Sequence, residues 1–382
     1  MNIGYGFWGF LGDKKFDKHG NEISTPDGNA FYSWSIINAL QKQGHDVFTL
    51  MPDRDAPGIE KLGHKLFSTF AMEERYKTYL YSIDYINYDY LEEILKYNKI
   101  SEKIINNIKL DAVIWEWRMP IPGRNIELSI DAPAFQPDYM LQDILLKYFK
   151  EKHIPVYVFD LDYKVTDKDI EKYNITGIIE LGCKWLDYRK CKTQTVFIPF
   201  NFNYINDFEI KNPTELMVYV GNRYERDWCI DKYIPGNIDG ITIYGNWLES
   251  GRDSAQKWPN IKFGKRLQLS EMYDAYSKAA VTPLLAKKEY CKNSFMTARI
   301  IESVFYGCLP LFIEEFKLSY YFLPQDLIDK LTIHNKEELI EKAKYYLEHP
   351  DERTELIRIL RYELRQMDAK YFVKDFINLL ND

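Results

Sequence analysis

Cysteine and histidine are scarce in this sequence of 382 residues, which holds five and six of them respectively. The histidines lack the H-x-H or H-x-x-x-H spacing of a metal site, and the cysteines form an odd set without paired spacing. The cysteine positions are Cys183, Cys191, Cys229, Cys291 and Cys308. We therefore expect reduced thiols, no structural metal and a cytoplasmic location.

Long apolar runs are also absent from the sequence. No stretch of about 18 apolar residues occurs, and the N-terminus lacks the basic segment and apolar run of a secretory signal. We therefore expect no membrane span. The formal net charge of −7 argues against a protein that coats nucleic acid over its whole surface, although a local basic groove is compatible with it.

The overall composition is that of a globular protein, with 46% hydrophobic and 28% charged residues. A chain of this length exceeds one ordinary core and suits two domains. We expect the protein to act as a monomer.

Short apolar strands alternate with helical patterns in two successive series. Strands are expected at 2–7, 46–51, 112–117, 155–159, 177–181 and 195–198, and then at 216–220, 241–244, 261–263, 280–285 and 309–313. Three helices, 336–347, 352–366 and 370–380, follow. A polar stretch at 199–213 separates the series. Strands alternating with helices predict parallel sheets that are covered on both faces.

We therefore predict an α/β protein with two doubly wound domains. The first spans 1–205 and is joined by the last helix, 368–382, while the second spans 213–367. Ligands of such folds bind beyond the carboxyl ends of the strands, so a cleft between the domains is the expected site.

The segment 293–313, NSFMTARIIESVFYGCLPLFI, carries the first candidate site. Asn293 or Ser294 is expected to cap a helix that holds Arg299 and Glu302 on one face. One interpretation is a surface ion pair, which contributes little, particularly in the Arg-before-Glu order. The other is a ligand site, because a guanidinium can bind a diphosphate through two N–H groups and a carboxylate can accept both ribose hydroxyls.

The segment 219–227, YVGNRYERD, carries the second candidate site. A strand runs into Gly221, where backbone N–H groups can approach an anion closely. Arg223 and Arg226 add two cations at this turn. A solvated loop with two ordinary arginines is the alternative.

These segments resemble blocks of the phage DNA β-glucosyltransferases, which are GT-B glycosyltransferases. Between them lie ITIYGNW (241–247) and WPNIKFGK (258–265), and GCLPLFIEEF (307–316) follows. The blocks keep the family's order and cover most of the C-terminal half. The resemblance implies two Rossmann-like domains facing a central cleft, a UDP-sugar donor with UDP-glucose as the expected one, and a location in the host cytoplasm. Mg²⁺ is compatible with such an enzyme but is not implied by the sequence.

The resemblance also assigns roles in donor binding. Arg223 and Arg226 correspond to the residues that bind the diphosphate, and Arg299 and Glu302 to those that hold phosphate and ribose. The segment around 264–267 would lie against uracil, mainly through backbone groups. In TPDGN (25–29) Asn29 stands near the sugar, where the family has a glutamate. The implied donor-binding set is Gly221, Asn222, Arg223, Arg226, Lys265, Arg266, Leu267, Arg299, Glu302 and Asn29.

The catalytic base is expected at the end of VYVFDLD (156–162), which matches the strand that ends in the family's catalytic aspartate. This match assigns the role to Asp162, with Asp160 as the alternative. A turn at a strand end, where Asp is common, is the ordinary interpretation of both. Direct attack by an acceptor hydroxyl deprotonated by this base would invert the anomeric centre.

The acceptor implied by the resemblance is a 5-hydroxymethylpyrimidine in modified duplex DNA, which must be flipped out of the helix. A solvated basic surface is the other interpretation of the residues proposed to contact DNA. These are Arg118, Arg124, Lys184, Arg189, Lys190 and Lys192. A GT-B glycosyltransferase acting on a lipid-linked or surface glycan, and a non-catalytic nucleotide-binding protein, remain alternatives.

Overall fold

Two parallel sheets form the core of the protein. The computed structural model describes residues 1–6, 28–49, 109–117, 135–161, 163–181, 191–196, 200–202, 205–249, 251–267, 271–292, 294–295, 297–316 and 322–381. The first sheet contains β1 (Asn2–Gly6), β2 (Asp46–Thr49), β3 (Ala112–Glu116), β4 (Val156–Asp160), β5 (Gly177–Leu181) and β6 (Lys192–Val196). The second contains β7 (Glu215–Val220), β8 (Ile241–Tyr244), β9 (Ala279–Pro283), β10 (Leu309–Ile313) and β11 (Thr332–Ile333).

Helices connect the strands and cover the sheets. Those of the first half are α1 (Gly28–Lys42), α2 (Phe135–Glu151) and α3 (Asp167–Tyr173). Those that follow are α4 (Asp227–Tyr233), α5 (Ser254–Lys257), α6 (Met272–Tyr276), α7 (Lys288–Lys292), α8 (Arg299–Phe305), α9 (Gln325–Leu331), α10 (Lys336–Glu348), α11 (Pro350–Arg365) and α12 (Ala369–Asn381).

The apolar sequences of the central strands follow from burial on both faces. In β3 and β4 every residue is buried. Alternate residues of β4 belong to different hydrophobic clusters: Tyr157 and Phe159 to one, and Val156 and Val158 to the other. Because successive side chains of a strand point to opposite faces, both faces of this sheet are covered.

Each sheet has a point where the strand order reverses. The first sheet runs β2-β1-β3-β4-β5-β6 and the second runs β11-β10-β9-β7-β8, with parallel pairing throughout the registers described. The chain therefore leaves β1 and β7 first to one side and then to the other. Loops at the carboxyl ends diverge at such switch points, between β1 and β3 and between β7 and β9, and leave a crevice for a ligand.

The chain passes between the two halves at two adjacent places. Phe200 forms a parallel bridge with Asp368, and its carbonyl accepts a 2.8 Å hydrogen bond from Ala369 N–H. The amide of Phe202 donates to Asp368 Oδ2 at 3.0 Å. Helix α12 then packs on α1 of the first half. The exact bounds of the two domains stay a prediction.

Three local expectations from the sequence were wrong. The segment Ile261–Phe263 forms no described strand and contributes one isolated bridge, between Ile243 and Phe263. Strand β6 begins at Lys192 rather than at residue 195. The helix expected after residue 293 begins only at Arg299, because Ser294 adopts a left-handed conformation (φ 54°) that interrupts the helical path.

Candidate functional site

Two glycines, Gly221 and Gly245, form a tight backbone contact at the carboxyl end of β7. Gly221 N–H donates to Tyr244 O at 2.9 Å, and the Trp247 indole N–H donates to Gly221 O at 2.7 Å. Gly245 packs on the turn at Gly221 with φ 145°, and a Cβ there would lie 2.1 Å from Gly221 O. Only glycine fits at such a φ and so close to another backbone. The ends of β7 and β8 are therefore held in close contact beside the switch point.

Arg299, the first residue of α8, lies directly against this turn. Its Nε donates to Val220 O at 2.9 Å, and its guanidinium carbon lies 5.5 Å from the centre of the Tyr219 ring. A Cβ on Gly221 would be 2.7 Å from Arg299 Nη2. The missing side chain of Gly221 thus makes room for the guanidinium.

Arg226 brings a second guanidinium to the same place. It is 7% exposed, and its Nη1 donates to Asn222 O at 3.2 Å and Tyr224 O at 2.9 Å. Burial, together with the nearby positive charge of Arg299, lowers the pKa of Arg226. Among the described residues no carboxylate oxygen lies within 4.0 Å of either guanidinium. Because a buried charge without a counter-ion is costly, the pair favours an anionic ligand.

Glu302 lies one turn along α8 from Arg299. Burial raises the pKa of its carboxyl, and the positive charge of Arg299 opposes this effect only in part. Within the described parts of the chain the carboxylate makes no hydrogen bond and no ion pair within 4.0 Å, so the surface ion pair with Arg299 is not formed. Tyr32, on α1 of the other half, lies within electrostatic range of both residues. Glu302 thus stands at the boundary between the halves, with its oxygens available to hydroxyl donors.

Arg223 does not join this group, although the sequence pattern placed it there. Its Nε and Nη2 donate to Asp227 at 2.8 and 2.7 Å, and its Nη1 contacts Asp253 and Ser254. The hydrogen bonds from Arg223 lower the pKa of Asp227 to about 2, with a further contribution from Lys257. All three nitrogens of Arg223 are therefore engaged by protein groups, and the residue stabilises the start of α4. Its assignment to the diphosphate stays a prediction.

The expected uracil segment follows β8. Lys265 Nζ lies 3.0 Å from Glu271 and Arg266 Nε lies 3.1 Å from Glu249, both at exposed positions. Leu267 is partly buried. In the described structure, residues 265–267 make no backbone hydrogen bonds, so their N–H and C=O groups remain available to a base edge. Asn222 is exposed and contributes its carbonyl to Arg226.

Asp160 is described, and its carboxylate has a structural role. It is 1% exposed and accepts 2.9 Å hydrogen bonds from the amides of Lys164 and Val165, one on each oxygen. This is the turn at a strand end that favours Asp. Asp162 lies outside the described residues, and its catalytic role stays a prediction.

The side chains proposed to bind the acceptor are not among those that the structure describes. This holds for Arg118, Arg124, Lys184, Arg189 and Lys190. Lys192 begins β6 and Asn29 lies in the first turn of α1, but only their backbones are described. Their roles stay predictions.

The sequence analysis did not identify one buried cation near the two arginines. Lys287 follows β9, the strand beside β7, and is 6% exposed. The only signal is its position directly after a buried strand. In Lys287-Lys288 nothing in the sequence distinguishes the buried lysine from its exposed neighbour.

Two further findings concern the described residues as a set. They contain no group of three or more His, Cys, Asp or Glu side chains arranged to hold a metal ion. None of the helices described is both long enough and apolar enough to cross a membrane.

Comparisons with known proteins agree with this architecture. Residues 227–374 match a family model described as glycosyl transferase-like. A sucrose-phosphate synthase from Thermosynechococcus elongatus is similar in structure (TM-score 0.57, 12% identity), with coverage of 100% of this chain and 98% of that one. An O-GlcNAc transferase from Thermobaculum terrenum (TM-score 0.50, 9% identity) is covered over 66% of its length by 99% of this chain. No curated protein sequence matches the chain. The protein has the GT-B fold, as predicted.

Proposed function

We propose that the protein is a glycosyltransferase that moves a sugar from a UDP-sugar to an acceptor hydroxyl. The observation that carries this proposal is the meeting of Arg226, Arg299 and Glu302 at the switch point between β7 and β9. Two guanidiniums that have no counter-ion among the described residues, and one carboxylate that has no hydrogen-bond donor among them, complement a diphosphate joined to a ribose. The GT-B fold and the match over residues 227–374 support the same conclusion.

The arrangement suits both binding and departure of the diphosphate. Guanidiniums form charge-assisted hydrogen bonds with phosphate oxygens, and the carboxylate of Glu302 can accept from both ribose hydroxyls. In the reaction the bond between the anomeric carbon and the β-phosphate oxygen breaks, and its electron pair stays on that oxygen. Because negative charge grows there in the transition state, cations already in place stabilise it.

The acceptor completes the chemistry from the other side of the sugar. Its hydroxyl oxygen forms the new bond to the anomeric carbon, and its proton passes to a general base, for which Asp162 is proposed. Such a direct displacement inverts the anomeric configuration. Removal of the base would lower kcat by about two to four orders of magnitude with little change in donor affinity.

The proposed acceptor is a 5-hydroxymethylpyrimidine in duplex DNA, as the resemblance implies. One structural observation favours a second candidate, a neutral glycan hydroxyl. Three buried carboxylates, Glu116, Asp160 and Glu180, end or nearly end adjacent strands of the first sheet. An edge lined by carboxyl side chains suits the hydroxyls of an uncharged sugar better than a phosphodiester backbone.

The experiment measures transfer of labelled sugar from UDP-glucose and related UDP-sugars to three acceptors. These are hydroxymethylated duplex DNA, unmodified DNA of the same sequence and a lipid-linked glycan. Transfer that depends on the hydroxymethyl group supports the DNA acceptor, and transfer to the glycan alone supports the second candidate. If no UDP-sugar is bound and no label moves to any acceptor, the proposed function is rejected.

A further inference from the structure

The segment 265–267, which the sequence places against the base of the donor, directly follows residues that are bonded to β8. Gly264 N–H donates to Ile243 O at 2.8 Å, and Ile243 N–H donates to Lys262 O at 3.0 Å. These two hydrogen bonds flank the bridge between Ile243 and Phe263. The chain is therefore paired with β8 as far as Gly264 and leaves the sheet immediately afterwards.

Gly264 packs directly on the ring of Tyr244, the last residue of β8. A Cβ at position 264 would lie 2.5 Å from both Cδ1 and Cε1 of that ring. Because non-bonded carbon atoms pack at about 3.5–4.0 Å, only a residue without a side chain fits here. The two atoms lie along the half-buried ring rather than at its tip, so a small adjustment of the side chain does not relieve the contact. The contact therefore sets the position at which the chain leaves β8.

Trp247 holds the same part of the chain against the turn at Gly221. Its ring stacks on that of Phe263, with 5.4 Å between the ring centres and 23° between the planes. Its indole N–H donates to Gly221 O at 2.7 Å. Since Trp247 is fully buried, both contacts belong to the packed interior. The start of the segment 265–267 is thus fixed relative to the turn that makes room for Arg299.

The backbone groups of residues 265–267 can distinguish one base from another. They make no backbone hydrogen bonds within the described parts of the chain. An N–H donor and a C=O acceptor complement the carbonyl oxygen and the N3–H group on the edge of uracil. A site of this kind rejects a base that leaves these groups unpaired, because each lost hydrogen bond is costly. The discrimination requires that the backbone groups stay in place.

We propose that Gly264 is a positioning residue that determines the base selectivity of the donor site. Its contact with Tyr244 sets the position of the backbone groups at 265–267, and these groups form hydrogen bonds with the edge of uracil. This inference rests on the proposed function. It adds a physical reason why the donor is a uridine diphosphate sugar rather than one that carries a purine.

The test compares the affinities for UDP, ADP and inorganic pyrophosphate, which has no base, by calorimetry. The wild type is expected to bind UDP about 10-fold more tightly than ADP, since ADP leaves the backbone groups unpaired. In Gly264→Ala the added methyl group displaces the segment 265–267. We expect this variant to bind UDP about 10-fold more weakly, so that its preference over ADP is lost, and to bind pyrophosphate like the wild type.

Gly236→Ala is the matched control. A Cβ at position 236 would lie 2.9 Å from Asn260 Cβ, so a methyl group there also crowds a neighbour. Asn237 N–H donates to Asn260 O at 2.7 Å, which places this contact before β8, at the opposite end of the strand from Gly264. The control should lose stability and keep the wild-type affinities for all three ligands.

A second variant acts on the other side of the same contact without adding an atom to the backbone. Tyr244→Leu replaces the ring by a smaller apolar side chain, so that Gly264 loses part of its support. The preference for UDP over ADP should fall about threefold, while the affinity for pyrophosphate stays that of the wild type. An unchanged preference in this variant contradicts the role of the contact.

The outcomes separate this inference from the proposed function. Wild-type protein that binds neither UDP nor any other nucleoside diphosphate rejects the proposed function itself. Wild-type protein that binds UDP and ADP equally tightly overturns only the base selectivity. Equal losses for UDP and pyrophosphate in Gly264→Ala also overturn the inference, since a residue that positions the base-binding groups does not affect a ligand without a base.

Discussion

The guanidinium of Arg299 occupies the space that a side chain at Gly221 would need. A Cβ at that position would lie 2.7 Å from Nη2, 2.8 Å from Nε and 2.6 Å from the hydroxyl oxygen of Tyr219. These distances are shorter than ordinary carbon contacts, so one of the groups would have to move. The residue at position 221 therefore controls where Arg299 lies.

Gly221→Ala is expected to displace Arg299 and to weaken UDP binding about 10-fold or more, while the protein stays folded. The added methyl group meets the ends of the Arg299 and Tyr219 side chains rather than the backbone, so we expect a loss of about 1–3 kcal/mol in stability without unfolding. Calorimetry with UDP and a thermal melt measure the two effects. Gly251→Ala is the control, because no atom lies within 4 Å of its Cβ position. Strain at its positive φ (78°) lowers stability without affecting UDP.

Arg226 and Arg223 are expected to behave oppositely. Arg226→Met should abolish measurable UDP binding, because it removes a buried cation of the anion site. Arg223→Met should lower stability by about 1 kcal/mol, through loss of its contacts with Asp227 and Asp253, and leave the affinity for UDP unchanged. Denaturant unfolding and calorimetry distinguish them. Equal loss of UDP affinity in both variants would instead support Arg223 as a ligand of the diphosphate.

Donor binding should weaken on acidification because of Glu302. Burial raises the pKa of this carboxyl, and only its ionised form accepts from both ribose hydroxyls. Affinity for UDP-glucose is therefore complete above the raised pKa and is lost as pH falls through it. Titrations between about pH 5 and about pH 8 measure the effect. Glu302→Gln should bind more weakly at high pH and show a flat profile, and an unchanged slope in this variant would contradict the assignment.

The raised pKa of Glu302 makes folding stability depend on pH in the opposite direction to donor binding. In the absence of ligand the folded state binds this proton more tightly than the unfolded chain, so the group favours folding below its ordinary pKa. That advantage is lost as pH rises through the raised pKa. Glu302→Gln should therefore unfold at a higher denaturant concentration than the wild type near neutral pH. Measuring both proteins at the same two pH values tests the sign.

Arg353 is expected to matter for stability alone. Its side chain is fully buried and donates to Ala280 O at 2.8 Å, Ala279 O at 3.1 Å and Lys211 O at 3.2 Å, and it also contacts Gly307 O. Arg353→Met leaves these carbonyls without a donor and should cost about 3 kcal/mol. Arg358→Met, at an exposed site of the same helix, should change stability by less than about 0.5 kcal/mol. Denaturant unfolding compares the two.

Much of the fold could be predicted because short apolar segments are enough to identify buried parallel strands. The runs that became β3, β4, β9 and β10 are buried throughout, and such strands can be recognised without knowing which strands they pair with. Ile261–Phe263 has two apolar residues around the exposed Lys262 and lies at the edge, beyond β8, where it makes a single bridge. Its position at the edge of the sheet therefore explains why it forms no strand.

The site was less predictable, because charge alone does not reveal burial or pairing. Arg223 and Arg226 are three residues apart in one turn, yet Arg223 meets Asp253, which lies 30 positions away in the sequence. Arg299 and Glu302 could be recognised from their spacing on one face of α8. Lys287 could not, since its environment depends on the loop after the neighbouring strand.

The two segments that connect the halves, around Phe200 and Asp368, lie next to each other, and this limits how the halves can move. Phe200 and Asp368 are joined to each other, while Arg361 and Arg365 hold the stretch at Phe208 and Asp207 to the second half. Because both covalent links between the halves run through one small region, a rotation about this region would keep the contacts of both links, whereas sliding would break them at once. A rotation of this kind would have its axis near Phe200 and would separate the loops farthest from Phe200 the most.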